Sequence, residues 1–176
     1  FFLAFMIDEQ AMQILEFNRV IHSLNGLSEE QFIEQVSEYF DVEPCEAKTL
    51  PSREHEMTIC IKGNWYRLNC KEQIIEKDHP VNSLDAEILT QYILYPILKI
   101  ENLKTDKNIE FIGGTTPIKK IEKKIKKGKY ELAVFLYPVT IDQVKKVADN
   151  QMIMPPKSTW VEPKLRSGMT IYDINE

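Results

Sequence analysis

The chain has 176 residues, 43% hydrophobic and 28% charged, which suits one globular domain and excludes disordered, collagenous and low-complexity classes. A net charge of -5 argues against a general nucleic-acid coat, and the longest apolar run, Phe1 to Ile7, falls short of the roughly 18 residues of a membrane span. The charge is uneven: 117–129 holds seven lysines and one glutamate, a net +6, so the remainder carries -11.

Phe1 to Ile7 is apolar at both alternating sets of positions and reads as a covered strand, with Met12 to Phe17 returning beside it as a hairpin. An aromatic strand at the first residue, with no initiator Met or polar tail, is expected of a fragment. Ser28-Glu29-Glu30-Gln31 is a capping box that opens a helix to about Phe40, with Phe32, Ile33, Val36, Tyr39 and Phe40 as its buried stripe. In 57–70, Gly63-Asn64 reads as a two-residue turn that sets Ile61 against Tyr66, Ile59 against Leu68 and Met57 against Cys70. Cys60 and Cys70 then project to opposite sides, so no disulfide joins them.

Ser83 to Ile100 reads as an apolar helix capped by Ser83 and bent or ended at Pro96. A strand over 109–112 leads into Gly113-Gly114-Thr115-Thr116-Pro117, where Thr116 is placed to cap a helix with Pro117 at its first position. That helix turns Ile118, Ile121 and Ile125 to a core and its lysines to water. A buried strand over 132–137 follows. Thr140 to Gln143 is a second capping box, with Val139 placed to staple Val144, and opens a helix to about Asp149. Strand, helix, strand, helix suggests a right-handed crossover with parallel pairing. The stretch 150–168 has three prolines and no sustained period, and Met169 to Ile174 closes as a strand.

That proline-containing loop carries a resemblance. Met154-Pro155-Pro156-Lys157-Ser158-Thr159-Trp160 and Glu162-Pro163-Lys164-Leu165-Arg166-Ser167-Gly168 resemble the C-terminal signature of the Domain of Unknown Function 1015 family. Supporting blocks are Asn18-Arg19-Val20, Gly63-Asn64-Trp65-Tyr66, Leu84-Asp85 with Ile88-Leu89, Phe111-Ile112-Gly113-Gly114 and Val147-Ala148-Asp149. The resemblance implies a C-terminal portion of a protein about twice this length. In that family an upstream half carries a Gly-His-His-Arg motif reminiscent of the ParB-like fold, and some proteins with that fold are nucleotide-dependent kinases of free serine. The motif is absent here, since no two of His22, His55 and His79 are adjacent. Activity resting on it does not transfer.

The residues themselves point to an anion. Lys157, Lys164 and Arg166 supply positive charge, Ser158 and Thr159 supply hydroxyls, and rigid prolines limit the entropy lost on binding. Equally, the basic residues could stay solvated while Trp160 fills the core. Lys157-Ser158-Thr159 is no Walker A loop, which needs a Gly-Lys pair before the hydroxyl. Gly113, Gly114 and Thr115 lie between a strand and a helix start, where free N–H groups favour anions, although a tight turn explains the glycines as well. Arg19 is a candidate clamp for carboxylate or phosphate, or the partner of a structural acid. The lysine helix lacks interleaved aromatics, so nucleic acid ranks last. No zinc spacing, nucleophile elbow or dinucleotide fingerprint occurs, and neither a catalytic residue nor a cofactor is assigned.

The reading is an α+β domain over 1–176 with a mixed sheet, hairpins, packed helices and one strand–helix–strand crossover region. Three cysteines without a C-x-x-C pair, and no leader before the fold, point to the cytoplasm. The expected partners are a small anionic ligand and an N-terminal part of the same protein, not nucleic acid or a membrane. The function expected is anion binding within an enzyme; the alternative is a non-catalytic interaction or dimerisation domain.

Overall fold

The computed structural model describes residues 6–164. Among the described residues, strands are formed by Gln13–Leu15 (β1), Phe17–Ile21 (β2), Phe40–Pro44 (β3), Glu56–Ile61 (β4), Asn64–Cys70 (β5), Ile109–Gly113 (β6), Leu132–Leu136 (β7) and Trp160–Glu162 (β8). Helices are formed by Glu29–Val36 (α1), Asp85–Leu89 (α2), Ile118–Lys126 (α3) and Ile141–Asp149 (α4). The main sheet has the order β3-β5-β4-β7-β2-β6, and β1 with β8 makes a separate two-stranded ribbon. The α+β class expected from the pattern of elements is the one observed.

The central strands are apolar on both faces because both faces are covered. Along β7, Leu132, Val134 and Leu136 enter one core, with Met57, Ile59, Ile61, Phe32 and Val36. The alternate residues Ala133 and Phe135 enter the other, with Cys60, Trp65, Ile121 and Ile125. Period-two alternation thus places α1 and α2 on one side of the sheet and α3 on the other.

The crossover exists, but its pairing differs from expectation. β6 and β7 run in the same direction around α3, yet both are antiparallel to β2, which lies between them. Every ladder among the described residues is antiparallel. Local sequence fixes the direction of a crossover, whereas the strand that slips between its arms comes from far upstream.

Other boundaries shift for local reasons. Both capping boxes form as expected, Ser28 with Gln31 and Thr140 with Gln143. α1 ends at Val36, and Phe40 starts β3, paired with β5. The β4–β5 turn sits at Lys62-Gly63, with φ of 50° and 105°, so Asn64 joins the strand opposite Ile61. The register moves by two, which leaves the faces unchanged. Cys60 and Cys70 lie in opposite cores, and all three cysteines are free. The expected long helix is a short α2 with Leu84 as its cap, continued by a π-turn over Thr90–Leu94. Pro117, not Thr116, occupies the cap of α3, and no side chain bonds there. β1 pairs with β8, a strand inside the loop that showed no period. Phe1 to Phe5 of the expected opening strand, and Met169 to Ile174, lie outside the described residues.

Candidate functional site

Phe17 and Trp160 organise the candidate site. Their rings meet edge to face with centroids 5.3 Å apart. Phe17 is the first residue of β2 and Trp160 the first of β8, so main sheet and ribbon are joined through this contact. Gly113 makes it possible, since a Cβ there would lie 2.4 Å from Trp160 Cε3. An open pocket of about 360 Å³ borders the pair, lined by Ile7, Phe17, Thr159, Trp160, Pro163 and Lys164.

Two of the sequence-derived lysines converge on these rings. Lys157 Nζ lies 5.6 Å from the centroid of Phe17, and Lys164 Nζ lies 5.3 Å from that of Trp160. Both side chains are exposed. A ring face attracts an ammonium through its quadrupole, by about 0.5–1 kcal/mol where the group is solvated, which holds each lysine over a ring that lines the pocket without neutralising it. Glu162 tempers the charge: it accepts from Trp160 Nε1 at 2.6 Å and from the Lys164 backbone N–H at 3.3 Å.

Arg19 lies behind the rings, only 2% exposed. Its guanidinium donates to two backbone carbonyls, those of Phe17 and of Lys157, the latter at 3.2 Å. It also lies over Phe111, 5.4 Å from the ring centroid. Among the described residues no carboxylate comes within 4.0 Å of it, so it makes no ion pair. Desolvation lowers its pKa to about 9, against the opposing field of Asp85. Arg19 therefore fixes the backbone of Lys157, which has a positive φ of 55°.

The remaining candidates divide. Ser158 is buried and donates to the carbonyl of Pro155, so its hydroxyl shapes the loop. Thr159 lines the pocket. Gly114 donates its N–H to the carbonyl of Glu16 at 2.8 Å, and a Cβ there would lie 2.8 Å from the Glu16 carboxyl carbon. Thr115 is exposed in the turn beyond. Arg166 lies outside the described residues.

Sequence reasoning missed a polar cluster behind Phe17. Asp85, 9% exposed, accepts from the backbone N–H of His55 at 2.9 Å and meets His55 Nδ1 at 3.2 Å. Burial raises the pKa of Asp85, and the bond to Asp85 raises that of His55. A void of about 10 Å³, room for one water at most, is lined by Phe17, Asp85, Gln143 and Ser158. The sequence clue was Asp85 itself, an acid at the start of an apolar helix, which read as a dipole partner. Among the described residues no group of three or more His, Cys, Asp or Glu side chains could hold a metal ion, and no helix is long and apolar enough to cross a membrane.

The fold is similar to that of a mutant of free serine kinase in complex with AMP, at 12% identity and a TM-score of 0.51, over 87% of this chain and 55% of that one. It is equally similar to a conserved hypothetical protein from Pyrococcus furiosus, at 12% identity and a TM-score of 0.51, over 88% of this chain and 57% of that one. The chain thus spans little more than half the length of these solved proteins. No curated protein matches it. The chain belongs to the family described as Protein of unknown function (DUF1015), whose model matches residues 1–87.

Proposed function

We propose that this chain is the C-terminal part of a cytoplasmic enzyme and holds an anionic small molecule, a phosphorylated metabolite or nucleotide, in the pocket beside Phe17 and Trp160. The observation that carries the reading is the placement of Lys157 over Phe17 and of Lys164 over Trp160, the two rings that line a pocket of about 360 Å³, with Lys164 itself in the lining. The rings offer an apolar face to a flat group, the ammonium groups attract phosphate oxygens, and Thr159 adds a hydroxyl. Arg19 acts from behind by holding Lys157 in place, and Gly113 by letting Trp160 lie against the sheet. Gly114 and Thr115 have a supporting part in the adjoining turn, and Arg166 adds a further cation near Lys164 in sequence. AMP in the solved serine kinase supports the ligand class.

Calorimetric titration with AMP, ADP, inorganic phosphate and adenosine tests this. AMP and ADP bind, phosphate binds more weakly, and a K157E/K164E variant loses the phosphate-bearing ligands. Because the pair is exposed, the variant remains folded by circular dichroism. Absence of heat with every ligand, with concentration-dependent sedimentation insensitive to these changes, would overturn the reading in favour of a non-catalytic interaction domain.

A further inference from the structure

Helices α1 and α3 carry opposite charge on opposite faces of the sheet. α3 buries Ile121 and Ile125, and its other sides are lysine. Glu122, its one acid, is engaged by Lys48 at 3.7 Å and Lys126 at 3.2 Å. Lys119, Lys120, Lys123, Lys124 and Lys127 are exposed and have no carboxylate within 4.0 Å among the described residues. Three of the pairs they make, Lys119–Lys123, Lys120–Lys124 and Lys123–Lys127, are like charges four residues apart, an arrangement that destabilises an isolated helix.

α1 mirrors this in carboxylate. Phe32 and Val36 are buried, while Glu30 and Glu34 are exposed and have no cation within 4.0 Å among the described residues. Four residues of helix rise about 6 Å, so the Glu30–Glu34 row and the Lys120–Lys124 row have one pitch. Within one chain the rows cannot meet, because the sheet separates them. In a second copy they can.

We propose that the lysine face of α3 docks on the acidic face of α1 of a second copy of this chain. The contact is heterologous, so it extends by adding copies unless the rotation closes a ring. A compact carboxylate face suits α3 better than a polyanion does. No exposed aromatic stands among the lysines to stack on bases, and the chain outside 117–129 carries -11, which repels an extended phosphate backbone. Such contacts contribute more to steering than to affinity, so the association is salt-sensitive.

Sedimentation velocity tests it. At low salt the weight-average mass of the wild type rises with concentration, and at high salt it returns to that of one chain. A K120E/K123E/K124E variant and an E30K/E34K variant each stay monomeric at low salt, and mixing the two restores association. Circular dichroism verifies that both are folded, as expected for exposed side chains. A wild type that stays monomeric at low salt, a variant that associates unchanged, or a mixture that fails to associate overturns the proposal. A single-stranded oligonucleotide bound by monomeric wild type and not by the lysine variant also overturns it, and assigns α3 to nucleic acid.

Discussion

Arg19 Nη2 donates to the carbonyl of Lys157 across 3.2 Å, joining residues 138 apart in the chain. A buried guanidinium spent on two main-chain carbonyls is costly to desolvate and is retained here as a brace between β2 and the loop that carries Lys157.

Arg19→Ala therefore affects both stability and the pocket. It leaves the carbonyls of Phe17 and Lys157 without their donor, at roughly 1–3 kcal/mol for each buried group left unsatisfied. Chemical denaturation should show that loss, and titration with AMP should show weakened binding although Arg19 does not line the pocket. Arg19→Lys should recover little, because one ammonium cannot reproduce the planar fork between two carbonyls. Full recovery by lysine would mean that charge alone matters.

Gly113→Ala tests the contact between Phe17, Trp160 and the sheet. The added Cβ would lie 2.4 Å from the indole, so the ring or the strand must move. Overpacking of this kind costs about 1–3 kcal/mol. The expected result is a lower midpoint together with a changed Trp160 emission. Gly128→Ala, at a φ of +71° and with nothing within 4 Å, should lower the midpoint without altering the Trp160 environment.

These two residues also mark what the sequence makes legible. The capping boxes, the buried stripe of α3 and the hairpin faces are local patterns, and the structure repeats them. The lysine-bearing loop was identifiable from its residue types, and Lys157 and Lys164 lie over the adjoining rings of Phe17 and Trp160. Phe17 was not identifiable as the loop's neighbour, because the run Met12 to Phe17 reads only as strand. The short β8 was also hidden, since three residues carry too little alternation. Asp85 meets His55 across 30 positions, a contact set by how α2 lands on the sheet, and no helical or strand period reports it.

The cysteines provide a reactivity test. Burial raises the thiol pKa of Cys60 to about 11, and those of Cys70 and Cys45 also rise, with burial the leading cause. At neutral pH each is almost wholly thiol, the unreactive form. A chromogenic disulfide reagent should modify the native protein slowly and three thiols per chain at once in denaturant. The half-exposed Cys45 should react before the fully buried Cys60, as mass spectrometry of the labelled peptides can show. Rapid labelling of Cys60 in the native protein would contradict its place between Trp65 and Ala133.

The His55–Asp85 couple predicts a pH dependence with a definite sign. The bond to Asp85 raises the folded pKa of His55 above its ordinary 6.5, so the stabilisation is fully present below 6.5 and lost as pH rises through the folded value. Burial raises Asp85 above its ordinary 3.8, so the native state also holds that proton more tightly, and its slope has the same sign in the acid range. Thermal midpoints should therefore fall between slightly acidic and slightly alkaline pH. Asp85→Asn keeps an oxygen for the His55 backbone N–H but removes the charge. Its profile should be flatter across neutrality, and the His55 ring should titrate closer to 6.5 by NMR. A variant profile parallel to that of the wild type would place the dependence on another group.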